Sequence, residues 1–316
     1  SLTRTKRMLI NKTFTKAHFG YNDMKQLTRF LTLCLLLTGV SALTGCNEGE
    51  NAASDLDVME LVEANLNNFE ETWATGDGSL LGAFYAEDAV RIASNRQKPL
   101  YGRKAIADHF DLGFEQDAND PQLSLKLVAA RSVGNDLILA VGEWYGTSER
   151  KGAWFNLYQT DGASVISLFD NAMTYNPTND LSQIERVFDE EYVGEGSDMV
   201  NRAIERYDSN LNAGNIEALA EQMFEVDGIQ VTQNGIFQGH EELVAGIAPP
   251  EDGVTFTAQG YGYLPVADDL VLNWGGYHAK NNEGALLAFG QWGNLLRIVD
   301  GDIILIVEAA GVYSGN

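Results

Sequence analysis

Asp170 and Glu308 are the carboxylates whose surroundings point most directly to chemistry. Each lies in a run of aliphatic residues near the end of one half of the chain. By the two-residue period of a β-strand, Ile166, Leu168, Asp170 and Ala172 share one face, and Ile304, Ile306, Glu308 and Ala310 share another. A carboxylate on an aliphatic face loses hydration, which raises its pKa toward the range a general acid or base needs at neutral pH. Glu143 shares a face with Val141 and Leu139 on a preceding strand pattern, and with Asp170 it would form a paired-carboxylate site. His278 is the one histidine in a core-strand pattern, and its ordinary pKa of about 6.5 suits a base. The plainer alternatives are a carboxylate bonded to Arg, Tyr or backbone amide, and a packed histidine.

Other chemistries find no support. No two histidines stand at metal-ligand spacing. No Gly-rich turn joins a strand to a helix in phosphate-binding form, and Gly260-Tyr261-Gly262-Tyr263 fits a mid-strand bulge instead. Gly-x-Ser-x-Gly is absent. The expectation is a protein without metal or cofactor.

The elements that must position these residues occur twice. Val62, Leu66, Phe69 and Trp73 form one stripe of an amphipathic helix, and Val200, Ile204, Tyr207 and Leu211 repeat it 138 residues later. Gly76 and Gly214 follow as helix terminators, and Asp77 and Asn215 as caps for the next helix. Asp88-Ala89-Val90-Arg91-Ile92 matches Asp227-Gly228-Ile229-Gln230-Val231. Trp154-Phe155-Asn156-Leu157 matches Trp292-Gly293-Asn294-Leu295, and Asp170 matches Glu308. Each unit reads helix, helix, strand, strand, helix and four long strands, the last two joined at Asp161-Gly162 or Asp300-Gly301. The domain organisation expected is a leader over 1–45, a tether over 46–54, a first domain over 55–176, an acidic linker over 177–197 and a second domain over 198–316. A short helix is expected in the linker, over Leu181–Glu191.

This order of elements resembles the nuclear-transport-factor-2-like superfamily, in particular its SnoaL-like branch. The residues that carry the likeness are Trp73-Ala74-Thr75-Gly76-Asp77, Phe84-Tyr85-Ala86-Glu87-Asp88-Ala89-Val90 and Tyr101-Gly102-Arg103-Lys104-Ala105-Ile106, with a degenerate second set. The resemblance implies an α+β fold of two tandem cone-shaped domains, each a curved antiparallel sheet wrapped around helices, with an apolar pocket at the open end. Trp73, Trp144, Trp154, Tyr277, His278 and Glu308 are then candidate pocket residues. If the protein is an enzyme, the resemblance implies a SnoaL- or ketosteroid-isomerase-like isomerase, cyclase or lyase, with Asp170 as base and Tyr85 or Glu143 as its partner. His109 and His240 are expected to face solvent.

Ahead of the repeats, Lys25 and Arg29 precede the apolar stretch Phe30–Ala42, which ends in Leu43-Thr44-Gly45-Cys46. That segment is similar to a bacterial lipoprotein signal peptide. The similarity implies cleavage before Cys46, diacylation of its sulfur and, with Asn47 following, an outer-membrane location facing the periplasm. Cys34 lies within the signal, so the processed chain has no cysteine left for a disulfide. Residues 1–45 hold seven Lys/Arg and one Asp, so of the formal net charge of −24 the part from Cys46 onward carries −30. Such a surface repels phosphate backbones and argues against a nucleic-acid partner. The function expected is an envelope lipoprotein that binds a small apolar or aromatic ligand in its pockets. The alternatives are the acid–base enzyme and a protein-interaction scaffold. An intramolecular pseudo-dimer or a homo-oligomer is the expected assembly.

Overall fold

The computed structural model describes residues 52–116, 122–134, 136–146, 150–177, 181, 184, 188 and 190–314. The segment containing Cys46 lies outside them. Two copies of one α+β arrangement follow in sequence within one compact unit, Glu48–Asn316. The first comprises α1 (Ala52–Trp73), α2 (Gly78–Gly82), β1 (Tyr85–Ala93), β2 (Leu100–Tyr101), α3 (Arg103–Gln116), β3 (Leu123–Ser132), β4 (Leu137–Gly146), β5 (Lys151–Thr160) and β6 (Val165–Thr174). The second comprises α4 (Ser197–Asn212), α5 (Ile216–Met223), β7 (Phe224–Thr232), β8 (Gly235–Gln238), α6 (Gly239–Gly246), β9 (Val254–Pro265), β10 (Leu270–Asn281), β11 (Leu286–Val299) and β12 (Asp302–Val312).

Each sheet has six strands, ordered β2-β1-β6-β5-β4-β3 and β8-β7-β12-β11-β10-β9. The sheets are mixed rather than purely antiparallel: β1 runs parallel to β6, and β7 to β12. A helix-containing crossover supplies the connection that parallel neighbours require. Gly76 and Gly214 take positive φ after their helices, at 67° and 70°. Asp77 caps α2 through its side chain, whereas Asn215 makes no side-chain cap on α5.

The helix stripes face the concave sides of the sheets. Val58, Val62 and Leu66 pack with Ile138, Ala140, Trp154 and Tyr158. The opposite faces of the two sheets pack on one another: Leu139, Phe155 and Phe169 share a core with Leu272, Trp274, Leu295 and Ile306. Both faces of each sheet are therefore apolar, one toward the helices and one toward the other sheet.

A bulge interrupts the last strand of each copy. Leu157 pairs with Phe169 but Tyr158 with Ser167, leaving Leu168 as the extra residue. Leu295 pairs with Val307 but Leu296 with Leu305, leaving Ile306 extra. An added residue shifts the alternation of side chains and bends the strand. It corrects the expected faces: Ser167, not Ile166 or Leu168, shares the cavity with Asp170, and Ile303 and Leu305 share it with Glu308. Leu168 and Ile306 turn instead to the core between the sheets. A further bulge lies at Tyr261, where Trp274 pairs with Gly262 and Gly275 with Gly260.

The linker differs from its expectation. Ile184, Phe188, Glu190 and Glu191, its described positions within Leu181–Glu191 after Leu181, are not helical. Phe188 instead lies on His278, with ring centroids 4.6 Å apart, and Tyr192 N donates to Gly260 O at 3.0 Å. Contacts with the second sheet override the local helical pattern.

Candidate functional site

The first cavity, about 830 Å³, opens between α1, α3 and the concave face of the first sheet. Its aromatic wall comes from the helix stripe and the third helix. Phe69 meets Phe84 and Phe110, and Trp73 meets Phe110 and Phe114, with centroids 4.9–6.1 Å apart and the rings edge to face. Edge-to-face geometry is the arrangement that ring quadrupoles favour. Trp144, Trp154 and Tyr158 line the sheet side. Trp144 and Trp154 are held by their indole N–H groups, which donate to Met173 O at 2.9 Å and Glu143 O at 3.2 Å.

Asp170 lies in this cavity, 3% exposed. Tyr85 OH donates to Asp170 Oδ2 at 2.7 Å, and the Arg91 guanidinium forms an ion pair with the same oxygen. Arg91 also donates to Tyr85 OH at 3.1 Å and lies 4.9 Å from the Phe110 centroid. Register explains the cluster: Arg91 pairs with Asp170, and Tyr85 with Ser167, across the parallel β1–β6 ladder. Burial pushes the Tyr85 phenol up to about 12 against the opposing pull of Arg91, so it stays a donor. His109 lines the cavity rather than facing solvent. Burial, reinforced by Arg91 and Arg96, lowers its pKa to about 4 and keeps the ring neutral. The Trp73 Nε1 and His109 Nδ1 atoms are buried without hydrogen-bond partners.

Glu143 does not join Asp170. It projects from the opposite face of β4, where Tyr145 donates to it at 2.7 Å, Tyr175 at 3.2 Å and Lys126 at 3.4 Å. The Tyr145 hydrogen bond is the main cause of its lowered pKa. Strand alternation gives the cavity side to Trp144 instead, which removes the paired-carboxylate arrangement.

The second cavity is smaller, about 360 Å³. Glu308, 7% exposed, accepts from Tyr207 OH at 2.8 Å and from Gln230 Nε2 at 2.9 Å. Burial raises its pKa, and those two hydrogen bonds work against the rise. Asp208 enters from α4, where its Oδ2 accepts from Ala258 N at 2.9 Å. Burial carries its pKa to about 7, with Glu308 adding to the rise. Tyr277 and Trp292 are walls of this cavity. His278 is not: it sits on the other face of β10 against Phe188, and burial lowers its pKa.

The hydroxyl on each carboxylate comes from a different element. Tyr85 on β1 corresponds to Phe224 on β7, whereas Phe69 on α1 corresponds to Tyr207 on α4. Each copy thus has one tyrosine and one phenylalanine, exchanged between two positions. Arg91 corresponds to Gln230, so the carboxylate is paired with a cation in one copy and with an amide in the other. Among the described residues, no group of three or more His, Cys, Asp and Glu side chains is placed to hold a metal ion.

Fold and site together define a tandem pair of α+β cones, each with a pocket whose buried carboxylate accepts from a tyrosine. No family model matches the chain, and no curated protein matches it. Among solved structures it is similar to a protein of unknown function with a cystatin-like fold from Nostoc punctiforme, at 19% identity over 39% of this chain and 95% of that one, TM-score 0.33. It is similar to a ketosteroid isomerase-like protein from Erwinia carotovora atroseptica, at 17% identity over 39% of this chain and 99% of that one, TM-score 0.32. An NTF2-like protein with a cystatin-like fold from Novosphingobium aromaticivorans matches at 15% identity over 39% of this chain and 84% of that one, TM-score 0.33.

Proposed function

We propose that the first cone binds a small apolar or aromatic ligand without a reaction of its own. The observation that carries this is the Asp170–Arg91 ion pair on the floor of an aromatic-walled cavity. A carboxylate paired with a buried guanidinium and bonded to a tyrosine is a poor proton acceptor, because both partners favour its charged form. The aromatic walls supply the apolar area that small-ligand sites use, and the unpartnered indole N–H of Trp73 offers a donor to a ligand oxygen. A scaffold role has less support. The sheet faces that a partner would cover are packed against each other.

A cavity-filling pair tests the proposal. Ala172 lines the first cavity, and its equivalent Ala310 lines the second. Titration with the neutral probe 2-naphthol, followed by tryptophan emission, should show saturable binding that Ala172→Phe weakens by about tenfold or more. Ala310→Phe should leave that site within about twofold. Binding unaffected by Ala172→Phe would overturn the proposal.

We also propose that Cys46 carries a lipid that holds the cones at the bacterial cell envelope, on the outer membrane facing the periplasm. The support is the Leu43-Thr44-Gly45-Cys46 sequence after a basic and then apolar segment. Two or more acyl chains anchor a protein stably where one does not. Cys46→Ala should move the protein from the membrane fraction to the soluble fraction, and unchanged sedimentation with membranes would refute the anchor.

A further inference from the structure

The two cavities have opposite charge balance. In the first, Arg91 neutralises Asp170. In the second, Gln230 occupies the corresponding place, and Glu308 receives only neutral donors. Asp208 brings a second carboxyl into the same cavity, whose lining among the described residues contains no Lys, Arg or His. Three buried acceptor oxygens among the lining residues have no donor: Asp208 Oδ1, Gln230 Oε1 and Asn294 Oδ1. Gln230 is 4% exposed, and its amide nitrogen is committed to Glu308. The cavity therefore has carboxyl groups without a cation and acceptors without N–H donors. Its walls include the aromatic side chains of Tyr207, Phe256, Tyr277 and Trp292, with Phe256 and Tyr277 stacked at 5.0 Å between centroids.

We propose that the second cone binds a small organic ammonium ion, a primary amine carried on an apolar body. An ammonium group brings three N–H donors and one positive charge, which together match the two carboxyls and the unfilled acceptors. Aromatic faces attract a desolvated cation and pack against its apolar part. Val200, Ile204 and Leu296 line the rest of the cavity and suit an apolar body. Burial holds both Glu308 and Asp208 toward their protonated forms, as expected for acids whose counter-charge is missing. The proposal rests on the second cavity alone and is independent of what the first cone binds.

The test is calorimetric titration of the processed chain with benzylammonium and with benzyl alcohol, its neutral counterpart, at physiological salt, where surface charge is screened. Benzylammonium should bind tighter by about tenfold or more. Gln230→Arg would set a guanidinium beside Glu308, as Arg91 stands beside Asp170, and should bring the two affinities within about twofold. Glu308→Gln removes the charge without adding bulk and should reduce the preference in the same direction. Equal affinities in the wild-type protein would overturn the proposal. So would a preference that survives in both variants, since that would place the amine on the acidic surface.

Discussion

At the scale of residues, the two cavities place opposite demands on protonation. Desolvation of the half-buried His109 ring lowers its pKa to about 4 from an ordinary 6.5. As pH falls from about 6.5 to about 4, the unfolded chain takes up a proton that folded His109 refuses, so stability is lost on that descent. Asp208 has a folded pKa of about 7 against an ordinary 3.8. Its stabilising proton is fully present below 3.8 and is lost as pH rises to about 7, so stability falls on that ascent. Glu308, also raised, adds to the direction of Asp208. The slopes oppose each other across the same window and should leave a shallow profile in the wild-type protein. His109→Gln should expose a decline with rising pH, and Asp208→Asn should tilt the profile upward relative to the wild-type protein, each by on the order of 1–2 kcal/mol across the window. Urea midpoints measured from pH 4 to pH 7 check this; variants that both keep the wild-type profile would contradict the assignment. Of these groups, Asp170, Tyr85 and Glu308 stand out in the sequence, because each lies in a strand pattern of known period. Arg91 was visible as a cation between Val90 and Ile92, but only the parallel ladder shows that it meets Asp170. His109 and Asp208 lie on helices, and nothing local marks these two as cavity-lining.

At the scale of elements, regular pattern was legible and irregularity was not. The helix stripes, the glycine stops and the hairpins at Asp161-Gly162 and Asp300-Gly301 follow from periods and turn chemistry that the chain displays directly. The bulges at Leu168 and Ile306 do not. Each lies in a strand apolar on both faces, so the two-residue alternation that would reveal an extra residue is hidden. Their effect is decisive for the sites. With the bulge, residues three apart, Ser167 and Asp170 or Leu305 and Glu308, share a cavity. Regular alternation would have placed them on opposite faces. The face of Glu143 was legible from its company with Val141 and Leu139. Its separation from Asp170 was not, because the side of the sheet that forms the cavity is fixed by helix packing. The tyrosine exchange between Tyr85 and Tyr207 becomes readable only once both copies are superposed on one cavity.

At the scale of the whole molecule, the repeats have diverged where they meet. Phe155 corresponds to Gly293, Phe169 to Val307, and Trp274 to Val141, so a large residue of one copy corresponds to a small residue of the other. The large ones cluster: Phe155 and Phe169 have ring centroids 5.5 Å apart, and Phe169 and Trp274 6.1 Å apart. Gly293 leaves room for the Phe169 ring, since a side chain there would overlap it. Asn171 Nδ2 donates across the interface to Ala309 O at 2.8 Å, and Arg131 on the first sheet forms ion pairs with Asp227 and Glu225 of the second copy. In two identical copies of the first cone, Phe155 would stand where Gly293 does, in the space that the Phe169 ring fills. The large residues of one copy are thus matched to the small residues of the other within the one chain. Because one core draws on both sheets, the cones should unfold together, giving coincident urea transitions by tryptophan emission and far-ultraviolet circular dichroism. Gly293→Val should cost about 1–3 kcal/mol by overpacking and, by loosening the shared core, should separate the transition into two. Two transitions already present in the wild-type protein would mean that the sheets share a surface but not a folding unit.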